Sequence, residues 1–84
     1  MKIINIEAGE IFCIEGTKTY PKLKLDTGYV DMRDEILQRS LANTANRNCE
    51  LMTEKEVETE FKKYGMTMDD VKNLKRELSV RFNW

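Results

Sequence analysis

Eighty-four residues enclose one hydrophobic core and no more, so the chain is a single domain of marginal stability unless a partner or a second copy adds buried area. Fourteen basic and fifteen acidic residues leave a net charge of −1, which gives no global field to gather nucleic acid or an anionic membrane. A composition 40% hydrophobic and 35% charged, with well-patterned apolar residues, excludes disorder for most of the chain.

Lys2 to Ile6 is a short apolar run ended by Glu7-Ala8-Gly9, and reads as a strand and a turn. In Glu10 to Glu15, Phe12 and Ile14 point one way while Ile11 and Cys13 point the other, the pattern of a central strand covered on both faces. Gly16-Thr17 turns the chain into Lys18 to Leu25. There Leu23 and Leu25 share a face with Pro21, and Lys22 and Lys24 share the other with Tyr20. Pro21 has no N–H, so this strand lies at an edge or pairs only after the Pro. Asp26-Thr27-Gly28 is a hairpin loop, and Tyr29 to Met32 returns, bringing Val30 and Met32 to Leu23 and Leu25. The result is a four-stranded antiparallel meander over residues 1–33.

Residues 34–52 connect. Asp34 caps a short helix through Leu41 on propensity, with a strand at Glu35 to Gln38 as the alternative. Asn43 to Asn48 is a polar, Asn-rich loop, and Cys49-Glu50-Leu51 is a further short strand. Residues 53–84 carry the clearest local signal. Thr53-Glu54-Lys55-Glu56 is a capping box, flanked by Met52 and Val57 as a hydrophobic staple, and Val57, Phe61 and Tyr64 follow at helical spacing up to Gly65. Thr67 to Asp70 repeats the box, Met66 and Val71 repeat the staple, and Val71, Leu74, Leu78 and Phe82 form a second stripe. Two short capped helices make an αα-hairpin whose stripes need a surface, supplied by the sheet face of Leu23, Leu25, Val30 and the Phe12/Ile14 pair. The fold class is therefore α+β, strands first and helices after.

The candidate chemistry is thin. Cys13 and Cys49 are too few for a metal knuckle, and without His a zinc site is excluded, so no metal or cofactor is expected. Missing His also removes the commonest base for Ser40, Ser79 or either Cys, and the singly placed Gly residues cradle no phosphate. The Glu54, Glu56, Glu58 and Glu60 carboxylates interleave with Lys55, Lys62 and Lys63 as a solvated face, not as an acid–base pair. No enzyme is expected. Met1 to Glu7 has neither the length nor the apolar run of a signal or a membrane anchor, so a cytoplasmic location with reduced thiols is expected.

Two surfaces remain. Tyr20, Lys22, Lys24 and Tyr29 on the hairpin, with Trp84 as an anchor, form a candidate partner-binding surface, and Met32 and Met68 are left over as adaptable contacts. Lys72, Lys75, Arg76 and Arg81 oppose the apolar stripe of the last helix, as in a helix-turn-helix that meets nucleic acid, although Asp69, Asp70 and Glu77 share that helix.

Glu10-Ile11-Phe12, Gly16, Tyr20-Pro21-Lys22-Leu23 and Gly28-Tyr29-Val30-Asp31-Met32-Arg33 resemble a pattern in small accessory proteins of tailed bacteriophages. The resemblance covers residues 10–33 and leaves the helical third unmatched. It implies an SH3-like β-meander and a phage product in the cytoplasm of an infected bacterium that binds and blocks a host protein. The motif is structural and transfers no site. The expected function is thus stoichiometric binding to a host or phage protein, with self-association into a homo-oligomer open, and nucleic-acid binding the alternative.

Overall fold

The computed structural model describes residues 1–16, 18, 20–26, 28–32, 36–38 and 48–82. Five short strands, β1(Ile11–Ile14), β2(Lys22–Lys24), β3(Tyr29–Asp31), β4(Ile36–Gln38) and β5(Cys49–Leu51), form one antiparallel sheet in the order β4-β3-β2-β1-β5. Two helices follow, α1(Glu54–Lys62) and α2(Met68–Phe82). The α+β class and the helical hairpin are as the sequence implies.

The first expected strand is not one. Ile3–Asn5 forms a turn of 3-10 helix, with the Ile6 N–H on the Ile3 carbonyl at 3.0 Å, and only Lys2 bridges to Asn48. The reason is which isoleucines are buried. Side chains three apart eclipse on a 3-10 turn, and Ile3 and Ile6 are both buried while Ile4 stands 67% exposed. A strand would have put Ile4 and Ile6 on one side.

The meander is completed instead by β4, so Ile36–Gln38 is strand where helix propensity over Asp34 to Leu41 argued otherwise. Pairing with β3, Val30 against Leu37, overrides that propensity. The rest of 34–41, and the Asn-rich loop apart from Asn48, lie outside the described residues. The Cys49–Leu51 strand expected from sequence is present and pairs with β1. Pro21 sits one residue before pairing starts, and its carbonyl accepts from the Met32 N–H. β2 is therefore an interior strand.

Register decides what the helices cover. Ile11 lies opposite Leu23 and Phe12 opposite Lys22. Side chains alternate along a strand, so Ile11 and Cys13 share the helix side with Leu23, Leu25, Val30 and Met32. The Phe12/Ile14 pair, expected beneath the helices, faces the other way, into a second cluster with Ile3, Ile6, Tyr29 and Cys49. Met32, offered by sequence as an exposed contact, is buried in the first cluster.

Both helix starts are capped as read. The Thr53 hydroxyl accepts from the Glu56 N–H (3.2 Å) and the Glu56 carboxylate from the Thr53 N–H (3.0 Å); Thr67 and Asp70 repeat this at 3.2 and 2.9 Å. α1 closes through Gly65, whose φ of 74° suits the left-handed position. Its N–H reaches the Lys62 carbonyl and the Met66 N–H reaches that of Phe61, a Schellman closure. Val57, Phe61, Val71 and Leu78 then pack on the sheet, with Leu74 and Phe82 partly buried. Glu60, expected on the solvated face, is buried to 6% exposure, and the Lys63 ammonium meets its carboxylate at 2.8 Å.

Candidate functional site

The hairpin side chains singled out in the sequence do not form an open surface. Lys22, Lys24 and Tyr29 are 8%, 6% and 6% exposed, and only Tyr20, at 40%, faces solvent. The same alternation that buries Leu23 toward the helices turns both lysines into the second cluster, beside Phe12 and Tyr29. Burial of an ammonium demands partners. Lys22 has them: its Nζ is 3.5 Å from the Asp31 carboxylate, donates to the Tyr20 carbonyl at 3.1 Å, and stands 5.6 and 5.9 Å from the Tyr20 and Tyr29 ring centres. Lys24 Nζ donates to the Leu25 carbonyl at 2.7 Å. These residues hold the hairpin together. Trp84 lies outside the described residues.

The cations of α2 do come together. Lys72 and Arg76 are exposed, Lys75 is half-buried, and the three line one shallow depression of about 340 Å³ with Ser79. Arg81 departs from the set: its guanidinium is 3.2 Å from the Glu77 carboxylate and 6.0 Å from the Phe82 ring centre.

A larger feature was not legible from sequence. Where the start of β1 and the end of β5 meet the first turns of α1 and α2, a groove of about 440 Å³ opens. Its floor is apolar, made by Ile11, Met52, Val57 and Val71. Leu51, 42% exposed, and the partly buried Met68 also line it. Glu10, Glu54, Lys72 and Lys75 line it as well, and none of the four forms an ion pair among the described residues. A few charged groups around an apolar floor is how binding grooves are built.

A smaller polar cluster lies beside α1. Lys18 is ion-paired to Glu56. The Lys18 ammonium, then the Thr53 N–H, pull the Glu56 carboxyl down to about 2, and the same pairing raises Lys18. Nearby, burial and the Glu50 carboxylate push the Cys13 thiol up to about 11, with its Sγ 3.7 Å from Glu50 Oε1. A thiol held neutral this way is a poor nucleophile at neutral pH. Among the described residues no group of His, Cys, Asp and Glu is arranged to hold a metal, and no helix is long and apolar enough to cross a membrane. Compared with known proteins, the chain matches no family model, no curated protein and no solved structure.

Proposed function

We propose that the protein is a non-enzymatic binding protein that acts stoichiometrically on another protein, and that its contact surface is the groove between the sheet and the two helices. The observation that carries this reading is an apolar groove, with Leu51 left 42% exposed among the residues that line it, in a chain that has little core to spare. Met52 and Met68 add adaptable surface there. The resemblance of residues 10–33 to phage accessory proteins supports a host protein as the target, met in the bacterial cytoplasm. Wild-type protein and Leu51→Asp, each immobilised after circular dichroism shows equal folding, test it against bacterial lysate. A partner held at fixed stoichiometry by wild type and lost from the variant is the expected result; no Leu51-dependent partner overturns the reading.

Nucleic-acid binding is the second reading, supported by the adjacent Lys72, Lys75 and Arg76 on the exposed side of α2. Phosphate contacts weaken steeply with salt, so a gel shift at two ionic strengths separates the two.

A further inference from the structure

Resting on the binding reading above, we propose that the groove takes an extended segment of the partner protein, which pairs with the β5 edge at Leu51 and turns an acidic side chain toward Lys72 and Lys75. The argument starts from the ladder. The Glu15 N–H donates to the Asn48 carbonyl at 2.9 Å and the Met52 N–H to the Ile11 carbonyl at 3.1 Å. Antiparallel residues alternate between facing the partner strand and facing away, so Cys49 and Leu51 turn their peptide groups away from β1. Those of Cys49 are taken: its N–H donates to the Met1 carbonyl at 2.6 Å, and its carbonyl accepts from the Met1 nitrogen at 2.7 Å. Leu51 is the next outward position on an edge strand, in line with that bridge, and it lies among the residues that line the groove.

An incoming strand continues the pairing there, and the residues flanking the one opposite Leu51 turn to the helix side, beside Met52 and Val57 at the groove. A helix lying in the groove leaves the outward peptide groups of Leu51 unmatched. Charge then fixes the lateral order. Lys72 and Lys75 on α2 call for a carboxylate, and Glu10 before β1 and Glu54 at the start of α1 call for a cation. The occupant is an alternating apolar segment with an acid on one flank and a base on the other.

A displayed library of short random peptides, panned on the immobilised full chain, tests this. Enriched peptides are expected to alternate apolar residues and to carry Asp or Glu beside them. N-methylation of the residue that pairs with Leu51 is expected to weaken binding about tenfold. The double variant Lys72→Glu, Lys75→Glu is expected to lose acidic peptides and to prefer charge-reversed ones. Absence of enrichment, apolar residues at helical spacing, or indifference to N-methylation or to the charge reversal overturns the proposal. So does a concentration-dependent dimer in sedimentation that Leu51→Pro abolishes, since the occupant is then a second copy. A Leu51-dependent lysate partner together with helix-type peptides sinks the strand proposal and leaves the binding reading standing; no Leu51-dependent partner sinks the binding reading itself.

Discussion

Lys18 and Glu56, 38 residues apart in sequence, are ion-paired, which ties the link between β1 and β2 to the first turn of α1. Glu56 also accepts the Thr53 N–H, so one carboxylate serves the tertiary contact and the helix cap together. Its carboxyl falls from an ordinary 4.5 to about 2, chiefly through Lys18. A folded-state value below the unfolded one means stability that is fully present above pH 4.5 and lost as pH falls through 2. Urea midpoints measured from pH 6 downward are expected to fall across that window. Glu56→Gln keeps an acceptor for the cap but no charge, so its midpoint starts lower and falls less. Equal acid losses in both proteins would show that other carboxylates dominate.

The two capping boxes predict matched losses. Thr53→Ala and Thr67→Ala each remove the oxygen that receives the N–H of Glu56 or Asp70, and each is expected to cost about 1 kcal/mol. In a domain of this size that is about 4–8 °C of melting temperature. The boxes sit on different helices and share no partner, so the double variant should lose the sum. A double loss no larger than either single one would mean that the αα-hairpin frays as one unit.

The helical third was readable because its signals are local. A Thr with an acid three residues on, a staple on either side and a Gly at the stop lie within one turn of what they control, and both boxes close as drawn. The sheet was less legible because its pairing is not local. Alternation in β1 gave two apolar faces correctly, but only the pairing of Ile11 with Leu23 decides that Phe12 turns away from the helices. From that one register follow the burial of Lys22 and Lys24 and the loss of the hairpin as an open surface. The groove needs β5, β1 and both helices at once, so no single stretch of sequence announces it.

Lys24 offers a test of how the second face is held. Its ammonium, 6% exposed, meets the neutral Leu25 carbonyl, whereas Lys22 has the Asp31 carboxylate. Desolvating an ammonium is costly, and one neutral acceptor offsets little of it. Lys24→Met keeps the length of the stem without the charge and is expected to leave the melting temperature unchanged or raise it. Lys22→Met, which removes the ion pair to Asp31 and the ammonium beside the Tyr20 and Tyr29 rings, is expected to lower it. Reversal of that order would show that the Leu25 contact contributes more than the ion pair.

Thiol chemistry provides the last test, because two cysteines on adjacent strands invite a disulfide. Ile14 lies opposite Cys49 and Cys13 opposite Glu50, so the two thiols point to opposite faces of the sheet, and both are buried and joined in no disulfide. Burial first, then the Glu50 carboxylate, lifts Cys13 from 9.0 to about 11, and little reactive thiolate exists in the folded protein near pH 8. A coloured disulfide reagent is therefore expected to leave the native chain untouched and to label both cysteines as urea unfolds it, in step with the loss of helical circular dichroism. A thiol raised in the folded state stabilises below the unfolded value and stops doing so as pH climbs past the folded one, so Cys13 contributes stability up to pH 9 that is lost toward pH 11. Rapid labelling of one thiol in native buffer would mean that the sheet opens at β5 without global unfolding, and with it the edge on which Leu51 stands.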